Sequence, residues 1–359
     1  MHPSFPTADP QQLHLAILGT GQVARNNYLP YLSKQTGITL SYWNRDLTKA
    51  TSCAHQFGGT AHATIADLMA GKPDAVLILT SEKARYELSL QAIAHKPPRI
   101  FFEKPLVAQR GQEQVSEDDF HRGREVLQAA HAAGIETAMV FNYRFFDQIA
   151  TAHRLIAERN LGKAVAATAF VHPACWSHCL DLVALFLGPA VSVSALSAPN
   201  SHNIPALTVS QITANGATAA IQRSPGGDLF HPAYEITLGF EHGRILLRGL
   251  DGEVELVNYR DASSERIQPG RNDSQWKHYD RSFERSLAAY VASIRANAPP
   301  PVPGRAGLEE LRIEAGIARS LRTGAAVDLE AAFPLGVGVT VPPTAAHAGV
   351  AAAAAAAKS

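Results

Sequence analysis

The chain has 359 residues, and at roughly 100 to 200 residues per domain this length favours two domains. Apolar residues make up 46% of the sequence and charged residues 18%, a composition that excludes general disorder. The 32 Lys and Arg balance the 32 Asp and Glu. Because a neutral chain lacks the excess positive charge that a phosphate backbone attracts, we expect no nucleic-acid partner.

Cysteine content and hydropathy indicate where the protein works. The three cysteines, Cys53, Cys175 and Cys179, are too few for a disulfide framework. The sequence does not open with a basic stretch followed by an apolar one, and no window reaches the ~18 uninterrupted apolar residues of a membrane span. These features predict a cytoplasmic protein with no membrane partner.

The first part of the chain alternates short β-rich runs with amphipathic stretches. The runs cover residues 13–19, 38–43, 74–80, 99–103 and 135–140. Several are apolar at consecutive positions, as is typical of parallel strands buried on both faces. Helix candidates lie between them, at residues 50–57 and 88–95. After a disordered N-terminus of residues 1–12, this pattern predicts an α/β Rossmann domain with a doubly wound parallel sheet over residues 13–141.

After Arg144 the pattern changes to that of a second domain. Helix candidates at residues 146–159 and 178–187 are followed by β-rich runs at 191–198, 206–214, 218–223, 234–240, 244–249 and 253–259. The Asn215-Gly216 and His242-Gly243 pairs suit tight hairpins, and two more helices flank the PPPVP segment at Pro299. We predict an α+β domain with a large, mainly antiparallel open sheet over residues 142–333. Residues 334–359 read as a low-complexity, disordered tail.

A glycine-rich turn follows the first β-rich run. The residues Gly19, Thr20, Gly21, Gln22, Val23 and Ala24 form a GxGxxA motif between a strand and a helix. Small residues there let the backbone turn tightly and approach a pyrophosphate, while the amides at the start of the helix face the anion. In this position the motif predicts a dinucleotide site. The alternative is a glycine turn with a purely structural role.

The end of the second β-rich run bears on the choice of coenzyme. Sites that prefer NAD usually place an acidic residue there for the ribose hydroxyls, whereas this chain has Asn44 and Arg45. An amide and a guanidinium can hold a 2′-phosphate by charge-assisted hydrogen bonds, so we expect NADP(H) to be favoured over NAD(H). In the alternative, Asn44 only shapes the turn, Arg45 lies in solvent and Asp46 caps the next helix.

The sequence Glu103-Lys104-Pro105 ends the run at residues 99–103. Together with GTGQVA, this EKP resembles the glucose-fructose oxidoreductase, inositol dehydrogenase and MocA (Gfo/Idh/MocA) family. Further matches, over roughly residues 13–330, are Tyr28-Leu29-Pro30, Thr80, Asn142-Tyr143-Arg144-Phe145, and His178 with Asp181. The resemblance implies hydride exchange between a nicotinamide and a carbon that bears oxygen or nitrogen, often on a sugar or cyclic polyol. It adds Thr80, Glu103 and Lys104 to the coenzyme site.

The resemblance also implies catalytic roles for Lys104 and His178. Lys104 would lie at the carboxyl edge of the sheet, where Pro105 keeps it extended and it can exchange a proton with substrate oxygen. In the alternative reading it is a surface lysine at a strand end. His178, as a neutral imidazole, would bind the reacting oxygen or pass a proton. The aspartate that the family usually has four residues before this histidine is Ala174 here.

Four further residues are candidates for substrate contacts: Asn142, Arg144, Trp176 and Asp181. Arg144 either anchors the substrate or forms an interdomain salt bridge, and Trp176 either walls the site or packs at the interface. His172, Cys175, His178 and Cys179 have the side chains that zinc prefers, but they fall within eight residues with no distant second pair. We therefore predict no metal site.

Two classes of function fit these observations. The first is an NAD(P)-dependent oxidoreductase that binds a small polar substrate between two domains. The second is a non-catalytic regulator that senses the same nucleotide, since the fold has such members and one expected carboxylate is absent. Lys104 and His178 favour the enzyme. By analogy with the family, the open sheet of the second domain is expected to form a homo-oligomer.

Overall fold

The computed structural model describes residues 12–198, 204–226, 233–269 and 274–336. Both predicted ends of the chain therefore fall almost entirely outside the described residues, namely residues 1–11 of the N-terminus and residues 337–359 of the tail. The described residues form two sheets, one of six strands and one of nine.

The six-stranded sheet is parallel throughout, as the sequence predicts. Its strands are β1 (Leu13–Leu18), β2 (Ile38–Trp43), β3 (Thr60–His62), β4 (Ala75–Ile78), β5 (Arg99–Glu103) and β6 (Glu136–Val140). They lie in the order β3-β2-β1-β4-β5-β6. The order reverses between β1 and β4, and a reversal of this kind opens a crevice for ligands at the carboxyl ends of the strands.

Helical segments connect these strands. The turn after β1 leads into a π-helical segment (Ala24–Tyr28) and α1 (Leu29–Leu32), and the later connections contain α2 (Leu47–Phe57), α3 (Ile65–Ala70), α4 (Arg85–Ala94) and α5 (Glu117–Ala132). Side chains fix where the helices begin: Asp46 caps α2, and Ser116 with Asp119 forms a capping box at α5. Asp119 also accepts a hydrogen bond from the Gln109 backbone amide. This bond holds in place the polar segment at residues 108–119, the insertion after EKP.

The nine-stranded sheet is mainly antiparallel, which confirms the second half of the predicted fold. Its strands are β7 (Ala164–Val171), β8 (Ala190–Ser197), β9 (Leu207–Thr213), β10 (Thr218–Arg223), β11 (Tyr234–Phe240), β12 (Gly243–Arg248), β13 (Val254–Asn258), β14 (Ser263–Ile267) and β15 (Val327–Asp328). The order is β14-β13-β12-β11-β7-β10-β9-β8-β15. Within this sheet, as far as the structure describes it, only β7 and β10 pair in parallel.

Helices cover one face of this sheet. They are α6 (Asp147–Glu158), α7 (Trp176–Leu187), α9 (Arg305–Thr323) and α10 (Leu329–Ala332). Short 3-10 segments at Asn142–Phe145 and Pro173–Cys175 introduce α6 and α7, and α8 (Gln275–Arg295) packs on the first of these segments and on the helical segments after β1. Four large apolar side chains of this sheet are 46 to 74% exposed: Val165, Phe170, Leu196 and Ile212.

Helix α9 joins the two sheets. It packs on α5 and β6 on one side and on β8 on the other. Just before it, the Met139 amide donates to the Val302 carbonyl and the Gly304 amide to the Thr137 carbonyl, so the chain returns to the edge of the parallel sheet. Gly307 allows this approach, because a Cβ there would lie 2.5 Å from the Met139 sulfur. Residues from both sheets therefore meet around α9.

Candidate active site

The turn after β1 has the shape that a dinucleotide needs. Gly19 has φ +102°, and a Cβ there would lie 2.7 Å from the backbone of Leu79 and Thr80, so the strand packing requires glycine. A Cβ on Gly21 would meet no atom of the described residues within 4 Å, which leaves open space beside this backbone. The Thr80 hydroxyl is buried without a hydrogen-bond partner among the described residues. These residues fit a nucleotide that brings its own polar groups.

Asn44 takes part in the turn itself. Its side-chain amide donates to the Thr20 hydroxyl at 2.9 Å, and its carbonyl oxygen accepts from the Asp46 amide at 3.0 Å. Asp46 in turn accepts from the Thr48 amide at the start of α2. The side chain of Arg45 is exposed. This geometry agrees with the alternative, in which Asn44 shapes the turn, Arg45 lies in solvent and Asp46 caps α2. The exposed Arg45 guanidinium is also accessible to a ligand.

The EKP turn is fixed by the Glu103 carboxylate. This buried side chain accepts from the Tyr28 hydroxyl at 2.8 Å and from the Lys104 backbone amide at 2.7 Å, so it ties the end of β5 to the helix after β1. The peptide bond between Lys104 and Pro105 is cis. The Lys104 ammonium donates to the side-chain oxygen of Gln112 at 3.1 Å. The insertion after EKP therefore supplies a direct partner for Lys104.

Arg85, for which the sequence indicates no role, also holds the EKP turn in place. Its buried guanidinium donates to the carbonyl oxygens of Glu103, Pro105 and Thr80. One side chain thus connects the carbonyls on both sides of Lys104 with the end of the neighbouring strand. A planar guanidinium has several donors in a fixed arrangement, which suits it to hold more than one carbonyl.

His178 lies close to Lys104 in the buried first half of α7. Its ring stacks on Tyr143 with centroids 3.8 Å apart, and its Nδ1 is buried without a partner among the described residues. Burial lowers the pKa of His178 well below its ordinary value, and the Lys104 ammonium lowers it further. The imidazole is therefore neutral near pH 7, the form that binds or passes a proton at a reacting oxygen.

The other predicted substrate contacts have protein partners. Arg144 forms a two-point ion pair with the buried Asp181, with nitrogen–oxygen distances of 2.8 and 2.6 Å. The Asn142 amide donates to the Ser282 hydroxyl at 2.8 Å. Arg144 therefore forms a salt bridge, but its partner Asp181 lies in the same predicted domain, whereas the alternative placed the bridge between the two domains. These pairs join the segment after β6 to α7 and α8, behind Lys104 and His178.

A cavity lies beside this cluster, between the segment after EKP, the start of α7 and helix α9. It is lined by Pro105, Gln112, Glu113, His172, Pro173, Ala174, Trp176, Ser177, Ile204, Arg223 and Glu310. Trp176 is buried, with the Arg223 guanidinium 5.3 Å from its ring centre. In the described residues no three His, Cys, Asp or Glu side chains converge as metal ligands, and Cys175 and Cys179 are buried free thiols.

Sequence reasoning missed two carboxyl groups next to this cavity. Glu310 and Glu314 lie one turn apart on α9, and both are buried. Burial raises the pKa of both groups; the Lys104 ammonium opposes the shift at Glu310, and Arg223 opposes it at Glu314. The sequence did contain a signal for them: two glutamates four residues apart on a helix face that is otherwise apolar. Buried glutamates are rare without a partner, so such a pair indicates a special site.

The first part of the chain matches a known protein family. A family model described as "Oxidoreductase family, NAD-binding Rossmann fold" (Gfo/Idh/MocA) matches residues 13–132. No curated protein matches the sequence. No helix in the described part of the chain is long and apolar enough to cross a bilayer.

Solved structures share the fold over most of the chain. An oxidoreductase from Agrobacterium radiobacter, in complex with NAD+, L-tartaric acid and magnesium, is 18% identical with a TM-score of 0.75, over 89% of this chain and 99% of that one. The WlbA dehydrogenase from Bordetella pertussis, in complex with NADH and UDP-GlcNAcA, is 17% identical with a TM-score of 0.71, over 90% and 99%. A super-repressor mutant of Gal80p from Saccharomyces cerevisiae is 12% identical with a TM-score of 0.75, over 89% and 98%.

Proposed function

We propose that the protein is an NAD(P)-dependent oxidoreductase, because residues 13–132 match the model of the Gfo/Idh/MocA oxidoreductase family with its NAD-binding Rossmann fold. It transfers a hydride between the nicotinamide and a carbonyl, alcohol or imine carbon of a small polar substrate, sugar-like or cyclic. The observation that carries the proposal is the position of Lys104, which precedes Pro105 and donates to Gln112, both in the cavity wall. Glu103 and Arg85 hold the backbone at Lys104, and a neutral His178 lies close to it.

The chain's own residues bind the coenzyme and move a proton. The turn at Gly19, Thr20, Gly21, Gln22 and Val23, together with Thr80 and Glu103, would hold the nucleotide, which when bound supplies or accepts the hydride. During reduction the Lys104 ammonium donates a proton to the substrate oxygen, and during oxidation the amine takes it back. His178 hydrogen-bonds the same oxygen, while Asp181, Arg144 and Asn142 hold the surrounding segments in position.

The substrate class rests on the cavity and on the neighbours in fold. Polar groups and one aromatic face line the cavity, with Trp176 as a wall, which suits a small hydroxylated molecule. Structural neighbours were solved with L-tartaric acid and with UDP-GlcNAcA. We propose a sugar-like or hydroxy-acid substrate on this basis.

Lys104 variants test the proposed reaction. Replacement by Met keeps the length of the side chain and removes the ammonium, so Lys104→Met should still bind coenzyme through the glycine turn and lose about 100- to 10,000-fold in kcat. Binding is measured by nicotinamide fluorescence and turnover by nicotinamide absorbance with aldoses, keto-sugars, polyols and cyclic imines. Lys163→Met, at an exposed lysine before β7, is the matched control. Unchanged turnover in Lys104→Met would remove Lys104 from the mechanism.

For the coenzyme we propose a preference for NADP(H). No acidic side chain stands at the end of β2, and the exposed Arg45 can reach a 2′-phosphate. Arg45→Ala should then weaken NADPH binding about 10-fold and leave NADH binding unchanged. Titration of both coenzymes against this variant and against Arg244→Ala, an exposed arginine of the other sheet, provides the comparison. Tighter binding of NADH by the wild type would contradict the preference.

A non-catalytic regulator is the second candidate, favoured by the likeness in fold to Gal80p and by Ala174 in place of a carboxylate. A regulator would bind the coenzyme and turn over none of the substrates above. In either case we propose a homo-oligomer formed through the apolar face of the nine-stranded sheet, around Phe170 and Ile212. Light scattering that reports a monomer would contradict the oligomer.

A further inference from the structure

Glu310 is a buried carboxyl group that accepts or donates no hydrogen bond in the described part of the chain. Its residue is 3% exposed, and neither carboxyl oxygen has a hydrogen-bond partner among the described residues. It nevertheless lines the cavity, across from Pro105 and Gln112 on the EKP side. Burial of a polar group without a hydrogen bond destabilises the folded protein. A group in this state next to a cavity therefore points to a ligand that completes its hydrogen bonds.

The charged groups around Glu310 do not meet this need. Glu314, one turn further along α9, carries the same charge and is influenced by Arg223, which lies over Trp176. The Lys104 ammonium acts on Glu310 electrostatically, but its hydrogen bond goes to Gln112. Asp181 adds a further negative charge and is itself paired with Arg144. Burial and the neighbouring carboxyl of Glu314 both favour the neutral form of Glu310.

A neutral carboxyl group has one donor and one good acceptor, which matches a hydroxyl group. A cationic ligand is less suited to the same place, because Lys104 and Arg223 both bring positive charge to this side of the cavity. We propose that Glu310 is a substrate-binding residue, and that the substrate presents a hydroxyl group to it while another of its oxygens reacts at Lys104. The substrate is then a polyol or a hydroxy-carbonyl compound. This assignment rests on the proposed function.

The first test needs no substrate. Glu310→Met keeps most of the side-chain volume and removes the unpaired carboxyl group, so the melting temperature of the free protein should rise by about 2–4 °C. Glu309→Met, the preceding residue, is the control; its carboxylate pairs with Arg305 at 2.8 Å and should give no such rise. An unchanged or lower melting temperature in Glu310→Met would show that the carboxyl group is satisfied within the protein, and would overturn the proposal.

The second test uses myo-inositol, D-glucose, L-tartrate and D-glucosamine as probes with bound coenzyme. For the hydroxylated probe that the wild type turns over best, Glu310→Met should raise KM at least about 10-fold with a smaller change in kcat, since only a ground-state contact is lost. Glu310→Gln should restore most of the affinity, because its amide also offers a donor and an acceptor. Coenzyme binding should stay the same in both variants.

The outcomes separate this inference from the function on which it rests. A wild type that binds no nicotinamide coenzyme contradicts the proposed function, whatever the melting temperature of Glu310→Met. A wild type that is active, with Glu310 variants that keep its KM, contradicts the inference alone. Preference for D-glucosamine over D-glucose, lost in Glu310→Gln, would replace the hydroxyl group with an ammonium group and overturn the assignment as stated.

Discussion

Arg85 positions Lys104 without touching the cavity. Its guanidinium binds the carbonyl oxygens of Glu103 and Pro105, on either side of Lys104, and that of Thr80 at the end of the neighbouring strand. Without these donors, three carbonyl groups at a buried turn would lose their partner, and the direction of the Lys104 side chain would be less well defined. We therefore expect Arg85 to affect the proposed reaction through the position of Lys104.

Replacement of Arg85 by Lys tests this role. In Arg85 one nitrogen bonds the Glu103 and Pro105 carbonyls and a second bonds that of Thr80. Lysine has one nitrogen and cannot occupy both places, so we expect Arg85→Lys to lower the free energy of unfolding by about 1–3 kcal/mol. A fall in kcat of about 10-fold, with unchanged coenzyme affinity and KM, would distinguish positioning of Lys104 from a general loss of fold. Arg110→Lys, at an exposed site in the insertion, is the control. Full kcat in Arg85→Lys would show that the turn holds Lys104 without it.

At the scale of residues, the sequence predicted the groups that carry a recognisable motif and missed those that depend on distant backbone. Lys104 is predicted from the EKP motif, and His178 is predicted from its spacing to Asp181, which resembles the family's pattern. The partners of Arg85 are carbonyl oxygens up to 20 positions away, and carbonyl positions leave no trace in residue identity. Glu310 comes from a helix about 200 positions after Lys104, so only the folded chain places the two together.

The turn between β1 and the following helix uses two glycines for different reasons. At Gly19 the conformation and the contact with Leu79 require glycine for the fold itself, whereas at Gly21 the space stays open. Gly19→Ala should therefore lower the free energy of unfolding by about 1–3 kcal/mol. Gly21→Ala should leave stability unchanged and weaken coenzyme binding at least about 10-fold, because its methyl group takes the place of the pyrophosphate.

Thermal unfolding and coenzyme titration of the two variants provide the measurement. Each variant is the control for the other, since both add one methyl group within the same turn. Equal coenzyme affinity in Gly21→Ala and the wild type would mean that the nucleotide does not approach this backbone.

At the scale of elements, the sequence predicted most of the apolar strands and helices α2, α4, α6, α7, α8 and α9, but it missed the 16-residue helix α5 and strand β14. It missed β3 and β15, which have three and two residues, too few to establish a period. It also missed β7, whose alanines weaken the β signal. The His242-Gly243 pair does mark a hairpin, but Gly243 already belongs to β12, opposite Phe240. Hairpin pairing, and not the residue pair alone, fixes that position.

At the scale of the whole molecule, α9 brings the catalytic candidates and the cavity together. It packs between α5 of the first domain and β8 of the second, and Glu310 on it faces the cavity that the EKP turn closes from the other side. The sequence predicted two domains and their order. It did not predict that a helix near the end of the chain packs against both, because the contacts that decide this are long-range packing contacts.

In the proposed reaction Lys104 exchanges a proton with the substrate oxygen while the nicotinamide lies beside the reacting carbon. A crystal structure with NADPH and a hydroxylated substrate tests this most directly, through the distance from the Lys104 nitrogen to the reacting oxygen. We expect a hydrogen bond of about 2.7–3.2 Å between the Lys104 nitrogen and the reacting oxygen, with the nicotinamide next to the carbon that bears this oxygen. A nicotinamide bound in the crevice with the Lys104 ammonium directed away from the substrate would contradict it.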